Sequence, residues 1–531
     1  MEWDYIIIGS GFGGSVSALR LVEKGYKVLV LEKGRRLQAG DFPKTNWNLK
    51  RFFWLPQVGF RGLFKMTFLG HVTALSGVGV GGGSLVYANT LPVPKDPFFE
   101  APSWAHLASW KTELATPYQQ VLRMLGATRN PALTHPDEVL KAVGQEIGRG
   151  STFEHTNVAV YFGKSGETVR DPFFNGLGPD RTGCTLCGGC MLGCNHGAKN
   201  TLDRNYLYLA EKLGLKIEAD TEVTWVKPLE GGYEVEARQG TWALPSLNRK
   251  QTYRARNVIF AGGVLGTVPL LLKLKEAPAG LPNLSNRIGD FVRTNSEVLI
   301  GIVTQRRDQD LSKGIAIGSI LHTDEHSHLE PVRYSAGAGF FRMLMLPMAP
   351  GDTLFQRFAN AFGLVLRHPI RTLRTYLVSD WAKFTMILLY MRTVDGHIKM
   401  RLGRGFRTGF LRGAVTEPGD GPPAKAWAPE ATDLSERVTR HLDGYPTSLL
   451  TETLLGIPTT AHILGGAPMG DSPETGAIDH RHRLFGYEGL FVIDGAAISA
   501  NPGVNPSLTI AALAERAMTF LPPKAQVAAS T

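Results

Sequence analysis

Cysteine is scarce in this 531-residue chain: four residues, all between Cys184 and Cys194. Thiols confined to one local cluster cannot staple distant parts of a large fold, which argues against a long-range disulfide framework. No concentrated basic tract is present either. The 57 Lys and Arg against 47 Asp and Glu leave a formal charge of +10 that is spread along the chain. That pattern argues against nucleic-acid binding. It leaves the excess charge to a solvated surface, an acidic redox partner or an anionic membrane surface. No segment reaches the apolar length of a membrane span, and the opening MEWDYIIIGSGFGG lacks the basic flank and long apolar core of an export leader. A reducing, cytoplasmic setting fits these absences, with peripheral membrane contact and leaderless export beside a partner subunit left open. Internal repeats and low-complexity tracts are missing too. Hydrophobic residues at 43% and charged ones at 20% describe a globular protein long enough for two or more domains.

The N-terminus carries the clearest signal. DYIIIG reads as a buried parallel strand, GFGGSVSALRLVEKG as a helix ending in glycine, and KVLVLEKG as a second strand. Gly9, Gly11 and Gly14 form GxGxxG at the strand-to-helix turn, and Glu32 closes the second strand 18 residues after Gly14. Glycines there admit a pyrophosphate to the backbone, the helix N-terminus attracts its charge, and the carboxylate accepts from a ribose hydroxyl.

Later segments return to the same sheet. KIEADTEVTWVKPL and YEVEARQ alternate as an antiparallel meander, while RNVIFAGG and LFVIDGAAI read as buried strands ending in glycine turns. An alanine-rich helix, NPSLTIAALAERAMTFL, follows the last of them. The expected fold is α/β: a discontinuous, Rossmann-like parallel-sheet domain plus an α+β substrate domain with an antiparallel sheet. The nucleotide-binding domain takes residues 1–95, 195–300 and 456–531; residues 96–194 are a connecting segment with the cysteines, and residues 301–455 are the substrate domain.

Glycines at 77, 79, 81, 82 and 83 make GVGVGGGSLVYANT a loop whose backbone can lie against a flat ligand or its phosphates, unless it is merely a flexible linker. Together with the N-terminal fingerprint, TAHILGGAPMGD and DGAAISANPGVNPSLTIAALAER, this loop resembles the four signature regions of the glucose–methanol–choline (GMC) oxidoreductases, most closely the cholesterol oxidase-like branch. The resemblance implies FAD and oxidation of an alcohol to a carbonyl by hydride transfer to the flavin. It places Gly9, Gly11, Gly14 and Glu32 on the ADP half, and Gly79, Gly82, Ser84 and Asn89 along the pyrophosphate and flavin. On the same resemblance, Val223 would meet adenine through its backbone, and Asp494 and Gly495 would contact the phosphates or ribityl chain. His462 and Asn505 then carry the chemistry, with Asn505 and Pro506 also beside the flavin. A neutral imidazole suits removal of a hydroxyl proton, though a histidine in AHILGGAP could also be a satisfied loop residue. Asn505 precedes Pro506 and a helix, so it is equally an N-cap; that helix would aim its positive end at the reduced flavin. Glu297, Glu330 and Asp352 are candidates, by position only, for the carboxylate that isomerises a steroid product.

Cys184, Cys187, Cys190 and Cys194 are spaced C-x2-C-x2-C-x3-C, as in bacterial ferredoxins, except that Asn195 stands where ferredoxins have proline. An iron–sulfur cluster, 4Fe–4S or 3Fe–4S, is the leading expectation, with zinc and reduced structural thiols as alternatives. The segment after the cysteines also resembles that of bacterial FAD-dependent GMC dehydrogenases, which implies electron exit to an acceptor protein or quinone.

Residues 340–391, dense in Met, Phe and Leu with arginines at intervals, read either as core or as a pliable lining for a large apolar substrate. With the resemblance, a sterol or other hydrophobic alcohol is the expected substrate, which points to steroid metabolism. A long-chain aliphatic alcohol oxidase using dioxygen is the alternative. An NAD(P)H-dependent flavin reductase would call for a second full GxGxxG, which GGVLGT does not supply, and a non-catalytic electron-transfer flavoprotein is the remaining class.

Overall fold

The computed structural model describes residues 1–240, 248–405, 408–421 and 424–525. Two seven-stranded sheets dominate it. The first runs in the order Lys216–Glu218, Val28–Leu31, Trp3–Ile8, Arg249–Phe260, Gly232–Gln239, Thr221–Leu229, with Leu490–Val492 also paired to Arg249–Phe260. One strand, Arg249–Phe260, serves both halves of this sheet. Its first residues pair antiparallel with the meander, Arg249 opposite Gln239 and Ala255 opposite Tyr233. Its last residues lie parallel between Trp3–Ile8 and Leu490–Val492, with Phe260 opposite both Ile8 and Val492. The sequence changes accordingly. Exposed Arg254 and Arg256 alternate with buried Tyr253 and Ala255, and then Val258, Ile259 and Phe260 are buried in succession. Alternation suits a sheet covered on one face, and a continuous apolar run suits one covered on both.

Helices Phe12–Glu23, Ser507–Thr519 and Trp110–Met124 pack side by side. Arg20 and Tyr206 both reach Glu515, at 2.7 Å each, and tie the chain's two ends together. The result is the expected mixed α/β, Rossmann-like architecture, assembled from segments far apart in sequence.

The second sheet is antiparallel throughout: Met345–Pro347, Gly444–Leu449, Val298–Thr304, Thr385–Arg392, Ser327–Val332, Ser319–His322, Phe153–His155. The boundary expected at residue 300 falls inside Val298–Thr304, and Phe153–His155, expected to lie in a connecting segment, forms an edge of this sheet. Its two faces do different work because strand side chains alternate. Val298, Ile300 and Ile302, with Met386, Leu388 and Tyr390, pack against helices His135–Glu146 and Pro429–Leu442. Leu299, Gly301, Ile387 and Leu389 point the other way, into a large cavity. Among the described residues, no helix is long and apolar enough to cross a membrane.

Candidate active site

The cavity measures about 1010 Å³ and runs between the two sheets. Glu32 and Val223 stand along its wall with Gly9, Gly11, Gly82, Asp494 and Gly495; His462, Asn505 and Pro506 also line it. Ten of the sequence-expected residues are thus brought to one surface. The other four, Gly14, Gly79, Ser84 and Asn89, shape that surface from behind it. A Cβ on Gly14 would stand 2.2 Å from the Gly9 carbonyl oxygen, so this glycine lets the first helix close on the first strand. Gly79 holds a φ of +137°, a conformation that suits glycine alone. The Ser84 hydroxyl donates to the Gly81 carbonyl at 2.7 Å and accepts from the Leu202 N–H at 3.0 Å. Asn89 is buried with a left-handed backbone at φ 65°, and both polar atoms of its side-chain amide are without a protein partner.

Glu32 braces the glycine-rich loop after the first strand as well as facing the cavity. Its Oε2 accepts from the Ser10 N–H at 3.0 Å and hydroxyl at 2.8 Å, and its Oε1 accepts from the Gly34 N–H at 2.8 Å. Asp494 does the same on the opposite wall, accepting from the Gly263 N–H, the Thr267 hydroxyl and the Ala496 N–H at 2.6–2.8 Å. Burial nonetheless pushes the Asp494 carboxyl up to about 6.

A single turn positions both His462 and Asn505. Asn295 and Ser296 take left-handed φ values of 55° and 47° just before strand Val298–Thr304. The Asn295 amide donates to the Val504 carbonyl at 3.0 Å and accepts from the Gly503 N–H at 2.8 Å, which fixes the loop carrying Asn505. Two residues on, the buried Glu297 carboxylate accepts from the Ala461 N–H at 2.8 Å and from the His462 imidazole at Nδ1. Burial opposes charge on His462, but the Glu297 carboxylate and its hydrogen bond outweigh that and hold the imidazole pKa above its ordinary value. The imidazole expected from sequence to be neutral thus has a marked hold on its proton. Asn505 donates through Nδ2 to the fully buried Glu330 at 3.2 Å, and Glu330 also contacts His328. Asp352 stands exposed at the start of helix Leu354–Arg367, outside the cavity lining. Sequence reasoning named Glu297 and Glu330 only as positional candidates for an isomerising carboxylate and gave no signal that they grip His462 and Asn505, because those contacts span 165 and 175 residues.

The cysteine loop forms part of the cavity's far wall through Met191. Cys187 is exposed, while Cys184, Cys190 and Cys194 pack on a small apolar cluster with Val158, Val160, Ala198 and Ile315. Burial pushes the Cys184 thiol up to about 12 and raises Cys190 as well, which keeps both protonated at neutral pH. Buried Lys199 donates to the Cys190 carbonyl at 2.8 Å and the Leu85 carbonyl at 3.0 Å. Among the described residues, no three His, Cys, Asp or Glu side chains are grouped to hold a metal ion. The ferredoxin-like spacing is thus not accompanied by grouped metal ligands among the described residues: Cys187 is exposed while Cys184, Cys190 and Cys194 pack inward.

Comparison with known proteins decides the family. Residues 7–50 match the model of an NAD(P)-binding Rossmann-like domain, and residues 419–514 match that of GMC oxidoreductases. A cholesterol oxidase of Acinetobacter baumannii is 45% identical over 98% of this chain and 95% of its own length. One from Mycobacterium tuberculosis is 44% identical over 99% and 92%. The chain belongs to the GMC oxidoreductase family. A pyridoxine 4-oxidase from Mesorbium loti shares the fold, with a TM-score of 0.60 at 14% identity over 98% of this chain and 99% of that one. This GMC oxidoreductase is an FAD-dependent alcohol oxidase or dehydrogenase. Its cavity fits that cofactor on the chain's own evidence. A Cβ on Gly11, Gly263 or Gly266 would meet nothing within 4 Å, so the backbone there is bare toward the space. Asn505 Oδ1 and Ser507 Oγ, at the start of helix Ser507–Thr519, are buried without a protein partner. Such groups require a polar ligand.

Proposed function

We propose that this GMC oxidoreductase oxidises the hydroxyl-bearing carbon of a sterol-like alcohol. The observation that carries the reading is the cavity's division. His462 and Asn505 supply polar atoms at one place, while Tyr334, Phe341, Met345, Ile387 and Leu389 line an apolar wall. An apolar wall of that kind can bury a rigid hydrocarbon skeleton and leave one hydroxyl to be positioned. The relatives at 44–45% identity, both cholesterol oxidases, support the same substrate class.

In this mechanism the Glu297 carboxylate holds the His462 proton at Nδ1, which leaves Nε2 as the lone-pair nitrogen facing the substrate hydroxyl. Nε2 takes the hydroxyl proton while Asn505, fixed by Glu330 and the Asn295 turn, orients the oxygen. Gly9, Gly11, Glu32, Gly82, Val223, Asp494 and Gly495 would hold FAD, with Gly14, Gly79, Ser84 and Asn89 shaping the loops that carry them. When bound, FAD supplies the acceptor for the hydride leaving the carbinol carbon. The N-terminal end of helix Ser507–Thr519 presents its positive pole to the same space.

The test is anaerobic mixing of the holoenzyme with cholesterol in cyclodextrin, a long-chain fatty alcohol and glucose, followed by flavin absorbance. Bleaching by cholesterol supports the reading; bleaching by the fatty alcohol alone, or by neither lipid, overturns it. His462→Ala should slow bleaching by about 10²–10⁴-fold, the usual worth of a positioned general base.

An iron–sulfur cluster on Cys184, Cys187, Cys190 and Cys194, with onward transfer to an acceptor protein or quinone, is the electron exit proposed from the spacing; no step above depends on it. Anaerobic purification yielding about three to four irons per chain supports that exit, and iron-free protein with full activity removes it.

A further inference from the structure

Helices Leu354–Arg367 and Pro369–Tyr376 form a hairpin with inverted polarity. Leu354, Phe358, Phe362, Leu366, Ile370 and Leu373 follow one another at intervals of three or four residues, and each is more than half exposed. They make one outward stripe, along which the Phe358 and Phe362 rings stack at 6.4 Å. The buried residues of the two helices are Arg357 and Thr375. Arg357 faces inward and donates to the carbonyls of Gly351, Thr453 and Leu454 at 2.9–3.3 Å. An amphipathic helix of a soluble protein normally buries its apolar face and leaves its cations outside. This hairpin leaves its apolar face outside as well and buries Arg357 instead, so the apolar face is built for a partner.

Charge identifies that partner. Between Leu354 and Ser379 there is no Asp or Glu, while Arg367, His368, Arg371 and Arg374 cluster at the bend and along the second helix. Arg371 is paired with Asp443, and Arg367 and Arg374 are exposed. A second copy of the same face would bring arginines against arginines with no carboxylate of the hairpin to meet them. Anionic lipid phosphates beside an acyl layer match both the apolar stripe and its basic flank. The hairpin also springs from the cavity: Met345 before it and Trp381 after it both line the wall, and the Tyr376 hydroxyl donates to the Met345 carbonyl at 3.1 Å.

We propose that this hairpin docks the enzyme on an anionic lipid bilayer, with its apolar stripe at the headgroup–acyl boundary and the roots of the cavity wall beside the lipid. The proposal rests on the sterol-like substrate reading for its biological sense, since such substrates reside in membranes, but its surface and its test are independent of turnover. The full-length holoenzyme is floated with vesicles of phosphatidylcholine alone and of phosphatidylcholine with phosphatidylglycerol. Binding is expected to favour the anionic vesicles and to weaken with salt. Phe358→Asp with Leu366→Asp should lower the bound fraction by roughly 10-fold or more, because a charge replaces each inserted side chain. The unfolding midpoint and the turnover of cyclodextrin-solubilised cholesterol should stay at the parent's values. Arg367→Glu with Arg374→Glu should abolish the preference for anionic vesicles while sparing turnover.

Failure of the parent to float with anionic vesicles overturns the proposal, as does flotation of the Asp variant equal to the parent's. A parent dimer in sedimentation that Phe358→Asp dissolves also overturns it, and assigns the face to a second copy. Vesicle binding without turnover of solubilised cholesterol sinks the substrate reading alone. Turnover without vesicle binding sinks the docking alone.

Discussion

Two neighbouring glycines should fail in opposite ways when each is replaced by alanine. A Cβ on Gly13 would stand 1.8 Å from the Ile493 carbonyl oxygen and 2.6 Å from its carbon, far inside the ~3.5 Å contact distance. Both partners are backbone, in the strand-to-turn segment that ends in Asp494, so neither can rotate away. Overpacking of this kind costs about 1–3 kcal/mol or more, and Gly13→Ala should lower the unfolding midpoint of the apoprotein. A Cβ on Gly11 would meet no protein atom within 4 Å. Its φ of −71° is ordinary for any residue, so Gly11→Ala should cost folding less than about 1 kcal/mol, the scale of an N-cap change. The methyl would instead enter the space assigned to the pyrophosphate and break one charge-assisted contact worth about 1.5–3 kcal/mol. That corresponds to a roughly 10–100-fold rise in the FAD dissociation constant. Titration of apoprotein by flavin fluorescence, beside thermal melts of both variants, reads the two effects separately. Parent-like FAD affinity in Gly11→Ala would show that the phosphates lie elsewhere. A parent-like melt in Gly13→Ala would refute the packing argument.

Further outcomes follow from the buried carboxylates. With Glu297 anionic, His462 keeps its proton to higher pH, so kcat/KM should fall as pH drops through that raised pKa. Glu297→Gln should move this acid limb to lower pH and cut the maximal rate about 10²–10⁴-fold; an unmoved limb would separate Glu297 from the base. Glu452, buried and accepting from the Leu449 and Thr459 N–H groups, is pushed up to about 8 by burial. Because its folded pKa exceeds the ordinary value of 4.5, its contribution to stability is complete below that value and lost as pH rises through about 8. Melting midpoints between pH 6 and 9 should decline in the parent and decline less in Glu452→Gln. Asp137 and Arg333 form an ion pair in which both side chains are almost wholly buried. Asp137→Ala leaves the guanidinium uncompensated and should cost about 3–5 kcal/mol in denaturant unfolding, whereas parent-like stability would show that water reaches it.

The first strand, helix and second strand were legible because their signals are local. Six buried residues in Trp3–Ile8, glycines at a sharp turn and a carboxylate closing Val28–Leu31 all act on neighbours in the chain. The meander was legible by its alternation. The boundary at residue 300 was not, since strand Val298–Thr304 continues through it with one face to the helices and one to the cavity. Asn89, expected beside the cofactor from its loop, lies buried behind the cavity lining on a left-handed backbone. The apolar run after residue 340 was read as core or lining. It divides instead into cavity-wall residues at its ends and an outward-facing hairpin between them.

Sequence alone determined that this chain cradles a dinucleotide, because glycine spacing and strand periodicity are properties of consecutive residues. Which residues would meet across the cavity was decided only by the tertiary fold. A histidine late in the chain gains a firmer hold on its proton when a turn 165 residues earlier delivers a buried carboxylate to its Nδ1. Burial and pairing of that kind have no local signature, since they depend on what the rest of the fold removes from water.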